Sequence, residues 1–301
     1  MSNLYPPEGR LLHTLQNRAN VETLSRLRQA MARETVVEGR VTLCTPAHDL
    51  VVQLGPFTGT IPREEAALGI REGTAREISI LSRVGKPVSC VVTQVEGSLL
   101  LSRRRAQELA LEALLDCPPG TVLPATVTHL AAFGDVGCGV VSMIGIENCS
   151  VSRISHPARR FTVGQEIYTV LTGTDRSLGR LYLSHKELLG TWQENAARFS
   201  PGMTVTGWVR GVQPYGTFVE LAPNLTGLAD QTEGLQEDDR VSVYLKAILP
   251  DRMKVKLTIL QTLPPQSAPD PLPYFITAGH LSRWVYSPPE RRGEVIETVF
   301  D

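Results

Sequence analysis

Short runs of alternating apolar and polar residues, broken by glycine and proline, recur in the same order three times along the chain. The runs Gly39-Arg40-Val41-Thr42-Leu43, Ala125-Thr126-Val127-Thr128-His129 and Gly207-Trp208-Val209-Arg210-Gly211 open the three stretches. A hydrophobic strand with a polar entry follows in each, at Gly85-Lys86-Pro87-Val88, Gly164-Gln165-Glu166-Ile167 and Asp238-Asp239-Arg240-Val241. Each closes on a similar strand, at Leu99-Leu100-Leu101-Ser102, Leu181-Tyr182-Leu183-Ser184 and Val255-Lys256-Leu257-Thr258. A period of two predicts strands, and the glycine and proline clusters predict the turns between them. Repeats of this length, each with about five short strands, suit a tandem of small barrels better than a thin solenoid.

The third repeat is the most informative. Gly207–Leu228 holds two β-rich runs, Trp208–Val212 and Thr217–Leu221, around the turn Gln213-Pro214-Tyr215-Gly216. Tyr215 and Phe218 lie three apart, so an unbroken strand would point them to opposite faces. A bend at Gly216 would bring both rings onto one surface. Beside Arg210 they would then form a stacking platform for single-stranded bases. The competing reading places both rings in the barrel core, where Phe most often resides. Recurrence favours the platform: Phe133-Gly134 stands at the same offset in repeat two as Tyr215-Gly216 in repeat three.

The order Gly-x-Val, aromatic-Gly-x-Phe-Val, Gly-Leu, Gly-x-x-Val, Leu-Ser resembles the S-one RNA-binding repeat, the five-stranded OB-type barrel named after the largest protein of the bacterial small ribosomal subunit. The resemblance covers roughly Thr35 to Leu260 and weakens from repeat three to repeat one. It implies an RNA face with two aromatics, a His after the Gly-Leu, an Asp, and a base before the final strand. Repeat three matches at Tyr215, Phe218 and Lys254, with Asp230 at the His position and Pro250 at the Asp position. Repeat two matches at Phe133, Asp175 and Arg180, with Val136 in place of the second aromatic. Repeat one has Ala47, Leu50, Pro62 and Ser98 at these positions, so it keeps the barrel pattern and loses the binding face.

The implied architecture is all-β with helical linkers: three tandem OB-type five-stranded barrels, an N-terminal helix and a small β-rich C-terminal tail. The expected boundaries are a helical segment over 1–34, repeat one over 35–105, a helical linker over 106–120 and repeat two over 121–185. A linker over 186–201, repeat three over 202–260, a Pro-rich linker over 261–273 and the tail over 274–301 complete the chain. The first helix is expected to start at an Asn20 cap and run to about Glu34, and the tail to dock on repeat three.

Composition narrows the chemistry. In 301 residues the formal net charge is −1, which argues against a duplex binder driven by phosphate neutralisation and is compatible with stacking on single strands. The five cysteines are scattered without a Cys-x-x-Cys pair, and the six histidines show no metal-ligand spacing, so neither metal nor cofactor is expected. The absence of a signal-like start and of a long apolar run leads us to expect a cytoplasmic protein without a membrane partner. Nucleophile elbows and phosphate-cradling loops are also missing, so no enzyme is expected. The expected function is single-stranded RNA binding through Phe133, Asp175, Arg180, Arg210, Tyr215, Phe218 and Lys254, and the resemblance implies that it acts in translation on messenger or ribosomal RNA. Repeat one is expected to face a protein partner such as the small ribosomal subunit. The alternatives are a protein-interaction adaptor with drifted barrels and an RNA-turnover accessory bound to a separate nuclease.

Overall fold

The computed structural model describes residues 5–130, 133–266 and 269–300. They form two compact units: Met1–Cys117 with Asp135–Val141 and Arg176–Gly179, and Pro118–Gly134 with Ser142–Asp175 and Arg180–Asp301. The alternating runs of the sequence become tandem OB-type β-structures, joined by short helices.

In the first unit, α1 (Leu15–Val21) and α2 (Leu24–Ala32) precede a closed barrel. The barrel consists of β1 (Val36–Cys44), β2 (Leu50–Leu54), β3 (Phe57–Ile61), β4 (Pro87–Gln94) and β5 (Leu100–Ser102), in the order β1-β2-β3-β5-β4. A short helix, α3 (Ile78–Leu81), precedes β4, and α4 (Arg103–Leu115) follows β5. The single N-terminal helix expected from Asn20 is instead two helices. Thr14 and Thr23 cap them, each accepting a backbone N–H, and Asn20 lies within the first. Val37, Val41, Leu50, Val52, Ile61, Val88 and Leu101 fill the barrel, with Leu27 and Ala30 of α2 packed on it.

The basic run after β5 is absorbed by ion pairs. Arg103 is buried and donates to Glu8 through Nε at 2.6 Å and Nη2 at 3.0 Å, while Arg105 donates to Glu34 at 2.8 Å. Burial would raise the Glu8 carboxyl, but Arg103 and Arg83 more than offset it and hold it below its ordinary value. Asp135 accepts the Glu8 backbone N–H at 2.8 Å and, among the described residues, has no such cation bonded to it. Burial, with Glu8 adding, pushes it up to about 7.

The second unit carries repeat three and most of repeat two. β6 (Val122–His129), β7 (Phe133–Asp135), β8 (Val141–Met143), β9 (Glu166–Asp175) and β10 (Arg180–Ser184) form a five-stranded sheet in the order β10-β9-β6-β7-β8. One parallel bridge, Ile144 to Leu183, marks where this sheet approaches closure. The strand order is that of the first barrel, cut open at this seam. The helix α5 (Trp192–Ala196), with a Thr191–Glu194 capping box, leads to the third repeat. There β11 (Thr204–Gln213), β12 (Gly216–Ala222), β13 (Leu225–Ala229), β14 (Arg240–Leu249) and β15 (Lys254–Thr262) close as β11-β12-β13-β15-β14.

The seam shows why closure differs. Gly227 sits under β15, where an added Cβ would meet Leu257 Cδ1 at 2.6 Å. The parallel pairs Leu228–Lys256 and Ala229–Leu257 form there. Matching Ile144–Leu183 to Ala229–Leu257 puts Ser142 at the Gly227 position. Its hydroxyl donates to the Leu181 carbonyl at 2.6 Å, a side-chain bond across the strand seam.

The tail is held more widely than the sequence suggests. Trp284, Tyr286 and Phe300 are buried in one core with Val209, Val219 and Val243 of repeat three, and with Val122, Leu188 and Trp192. Its two short strands, β16 (Arg283–Val285) and β17 (Glu297–Val299), pair antiparallel. It also bonds repeat two directly: Gly279 accepts the Val122 N–H, and the Tyr274 hydroxyl accepts the Tyr168 N–H at 3.1 Å.

His185 is the pivot of that contact. It is fully buried, edge-on to Phe161 and Tyr274 at centroid distances of 5.0 and 5.4 Å. Its Nδ1 lies 2.7 Å from the Cys149 carbonyl, which can only accept, so Nδ1 carries the proton and Nε2 accepts the Tyr274 hydroxyl at 2.8 Å. Burial pushes His185 down to about 4 from 6.5. A depressed histidine contributes stability that is complete above its unfolded value and lost as pH falls through its folded one. The second unit is therefore expected to lose stability between about pH 6.5 and 4. Urea titrations across that window should show a shallower pH slope in His185→Gln than in the wild type; an identical slope would remove His185 as the cause.

Candidate nucleic-acid interface

The face begins at the β11–β12 hairpin. Gln213 pairs with Gly216, leaving Pro214 and Tyr215 as the turn. Gly216 has φ +149°, and a Cβ there would lie 2.5 Å from the Ala229 carbonyl oxygen, so only glycine lets the hairpin fold down on β13. Along β12, Thr217 and Val219 point into the barrel and are fully buried, which turns Phe218 outward. Tyr215 is 69% exposed, and the two rings meet edge-to-face at 6.1 Å and 87°. Both rings are thus on the outside of the barrel; the core reading fails for this pair.

Register extends the face across the sheet. Gly211, Phe218, Leu228 and Lys256 are successive cross-strand partners, with Ala247 beyond. Leu228 is half-buried and Lys256 exposed. Lys254, two residues earlier on β15 and also exposed, stands on the same side. Asp230, just past β13, accepts from Lys246 Nζ at 2.9 Å, and that hydrogen bond holds its carboxyl below the ordinary value. The arrangement is an aromatic and aliphatic floor beside three lysines. Bases can stack on such a floor while the cations meet phosphates.

Arg210 does not belong to this surface. The ladder shifts register between Val209 and Gly211, so Arg210 sits in a bulge. Its Nε donates to Glu220 at 2.8 Å and its Nη1 to Asp238 at 2.6 Å. Arg160, from the loop before β9, donates to both Glu220 oxygens at 2.7 and 2.9 Å. The side chains of Arg160, Arg210 and Glu220 are at most 5% exposed. Burial would raise the Glu220 carboxyl, yet Arg160 and Arg210 outweigh it and keep Glu220 ionised. Arg210 is thus a buried structural cation, which corrects the phosphate contact expected from the sequence.

In repeat two, Phe133 is half-buried on β7, edge-on to His129 at 6.3 Å. Arg180 is exposed on β10 and pairs in register with Asp175 of β9. Val136 is buried. Matched along the closing seam, Tyr182 stands where Lys256 stands in repeat three and Met143 where Leu228 stands; they are 50% and 56% exposed. Tyr182 and Lys256 are the residues missed from sequence. Their signal is the period of two counted from Arg180 and Lys254.

Repeat one carries no such face. Ala47 and Ser98 are exposed and small, and Leu50 is in the core. Register matches Val51 to Phe218, since Val52 pairs with Val41 as Val219 pairs with Val209. The residue opposite the bulge is therefore Val51 and not Leu50, a one-position correction that leaves this barrel without an aromatic there. Among the described residues no cluster of His, Cys, Asp or Glu could hold a metal ion, and no helix is long and apolar enough to cross a membrane.

No protein-family model matches the chain. It is 25% identical over 266 residues to small ribosomal subunit protein bS1 of Staphylococcus aureus, covering 81% of this chain and 66% of that protein. The chain resembles bacterial bS1. Its likeness to bS1 of Leuconostoc lactis is 28% over 234 residues, covering 70% of this chain and 53% of the relative. The bS1 homolog of Bacillus subtilis is 30% identical over 156 residues, 48% of this chain and 41% of that one. The chain spans about half or less of the length of the first bS1 relatives it matches. A multidomain protein with nucleic acid binding domains from Streptococcus pneumoniae covers 75% of the chain at 14% identity, and its TM-score of 0.26 gives that likeness no weight.

Proposed function

We propose that the chain binds single-stranded RNA on the outer faces of its second and third repeats, and does so in translation, as the bS1 relatives suggest. The observation that carries this reading is the Tyr215–Phe218 pair, held on the barrel surface by Gly216 and flanked by Lys254 and Lys256. Phe133, Met143, Tyr182 and Arg180 offer a similar mixture on repeat two. Repeat one, lacking aromatics at the matching positions, is assigned to a protein contact, with the small ribosomal subunit as the candidate partner. The messenger RNA is the natural single strand in that setting.

Fluorescence anisotropy of a short RNA should show binding to the single strand and much weaker binding to a duplex of the same sequence. Lys254→Ala and Lys256→Ala should each lower affinity several-fold and flatten the dependence of log affinity on log salt by about 0.7, one phosphate contact on a single strand. Equal binding to duplex, or an unchanged salt slope in both variants, would contradict the proposal.

A further inference from the structure

A second feature of the same unit lies off the aromatic face. A cleft of about 360 Å³ is walled by Arg159, Arg160, Arg198, Trp208 and the segment Pro269–Pro273. That volume falls within the roughly 300–1,000 Å³ typical of small-molecule sites. Four arginines line it, against the carboxylates of Glu220 and Asp270. Arg160 and Arg210 are committed to Glu220, and Arg159 to Asp238 at 2.9 Å while remaining half exposed. Arg198 is exposed and has no ion-pair partner among the described residues. The Arg160 Nε is buried without a hydrogen-bond partner.

The chain itself places an anionic oxygen at this site. Asp270, exposed on the proline-rich segment, accepts the Trp208 indole N–H through Oδ2 at 2.8 Å. Its other oxygen accepts from Gln266 at 3.0 Å. Position links the cleft to the aromatic face. Glu220, in the cleft wall, is two residues beyond Phe218 on the same side of β12, a step of about 7 Å. A strand leaving Phe218 along β12 reaches the arginines next.

We propose that this cleft is a phosphate site, in which a phosphate of the single strand replaces the Asp270 carboxylate and accepts from the Trp208 indole and the Arg198 and Arg159 guanidiniums. Asp270 is then a built-in competitor, and its removal tightens the site. The chemistry suits a phosphodiester or a free phosphate alike; continuity with Phe218 favours the strand.

The test reads the site directly. The chain has three tryptophans, and Trp192 and Trp284 are buried, so the Trp208 indole N–H signal in an NMR spectrum can be assigned with Trp208→Phe and followed on its own. The full chain is titrated with uridine, inorganic phosphate, uridine monophosphate and a short oligouridine. Oligouridine should move the Trp208 signal at the lowest concentration, uridine monophosphate and phosphate at higher ones, and uridine not at all. Arg198→Ala should weaken the oligouridine effect roughly tenfold, the loss of one charge-assisted contact, and Arg198→Lys should restore part of it. Asp270→Ala should strengthen it several-fold. A Trp208 signal that moves with no phosphate compound, in wild type and Asp270→Ala alike, overturns the site even if RNA binds the aromatic face. So does an Arg198→Ala response equal to wild type. A shift with phosphate that survives in a protein unable to bind RNA at Tyr215 and Phe218 supports the cleft while removing the RNA reading.

Discussion

Glu220→Ala is expected to destabilise the second unit by about 3–5 kcal/mol, because it strands two buried guanidiniums at once. Glu220 is the shared acceptor of Arg160 and Arg210, and all three side chains are at most 5% exposed. Arg210 keeps Asp238, but among the described residues Arg160 keeps only the Ser150 hydroxyl at 2.9 Å. For a unit of this size the loss corresponds to a fall in Tm on the order of 10 °C. Glu220→Gln, which preserves shape and one acceptor, should fall between the two. Calorimetry of the three proteins checks the order; a Glu220→Ala protein as stable as wild type would show that the network adds nothing beyond what a packed apolar patch would supply. The network joins the loop before β9 to the β11–β12 ribbon, so the strand that presents Phe218 is braced from repeat two.

That dependence explains which parts of the site were legible in the sequence. Strands, turns and barrel order follow from a local signal, the period of two and the glycines at turns, and those are visible in one chain. Tyr215 and Phe218 were also legible, since the glycine between them announces the bend and Gly216 proves indispensable to it. Arg210 was not. Its role is fixed by Glu220, and that residue's second cation, Arg160, comes from 60 residues earlier. No pattern around Arg210 carries that information. The match in repeat one likewise moves by a residue, from Leu50 to Val51, because its β1–β2 connection is one residue longer: Thr45 and Asp49 face each other across three residues, where Gln213 and Gly216 do so across two.

The helices tell a similar story. Asn20 is a good cap by residue type, but Thr14 and Thr23 are caps too, and the Asn17 side chain ties α1 to the Glu38 backbone with bonds of 2.9 and 2.8 Å. That tertiary tie favours the break into two helices, which single-residue preference does not foresee. Sequence alone predicts that the tail docks on repeat three, because so short a segment has no core of its own. Its bonds to repeat two run through backbone groups and a buried hydroxyl, Tyr274 on His185 and Tyr168, which hydrophobic patterning does not mark.

The central claim is that bases stack on the outer rings of repeat three, and its largest consequence lies in Tyr215→Ala combined with Phe218→Ala. Each stacked base contributes on the order of 1–3 kcal/mol, so losing both rings should weaken single-stranded RNA binding by tens-fold or more. The fold should survive, because Tyr215 is 69% exposed and neither ring is part of the buried core. Had they been core residues, the pair would cost roughly 3–5 kcal/mol each and unfold the barrel. Circular dichroism and melting come first, to establish that the double variant is native, and anisotropy titration of a short single-stranded RNA follows at fixed salt. A folded double variant with affinity reduced by tens-fold is the predicted result; a folded double variant that holds the RNA as tightly as wild type would contradict the account.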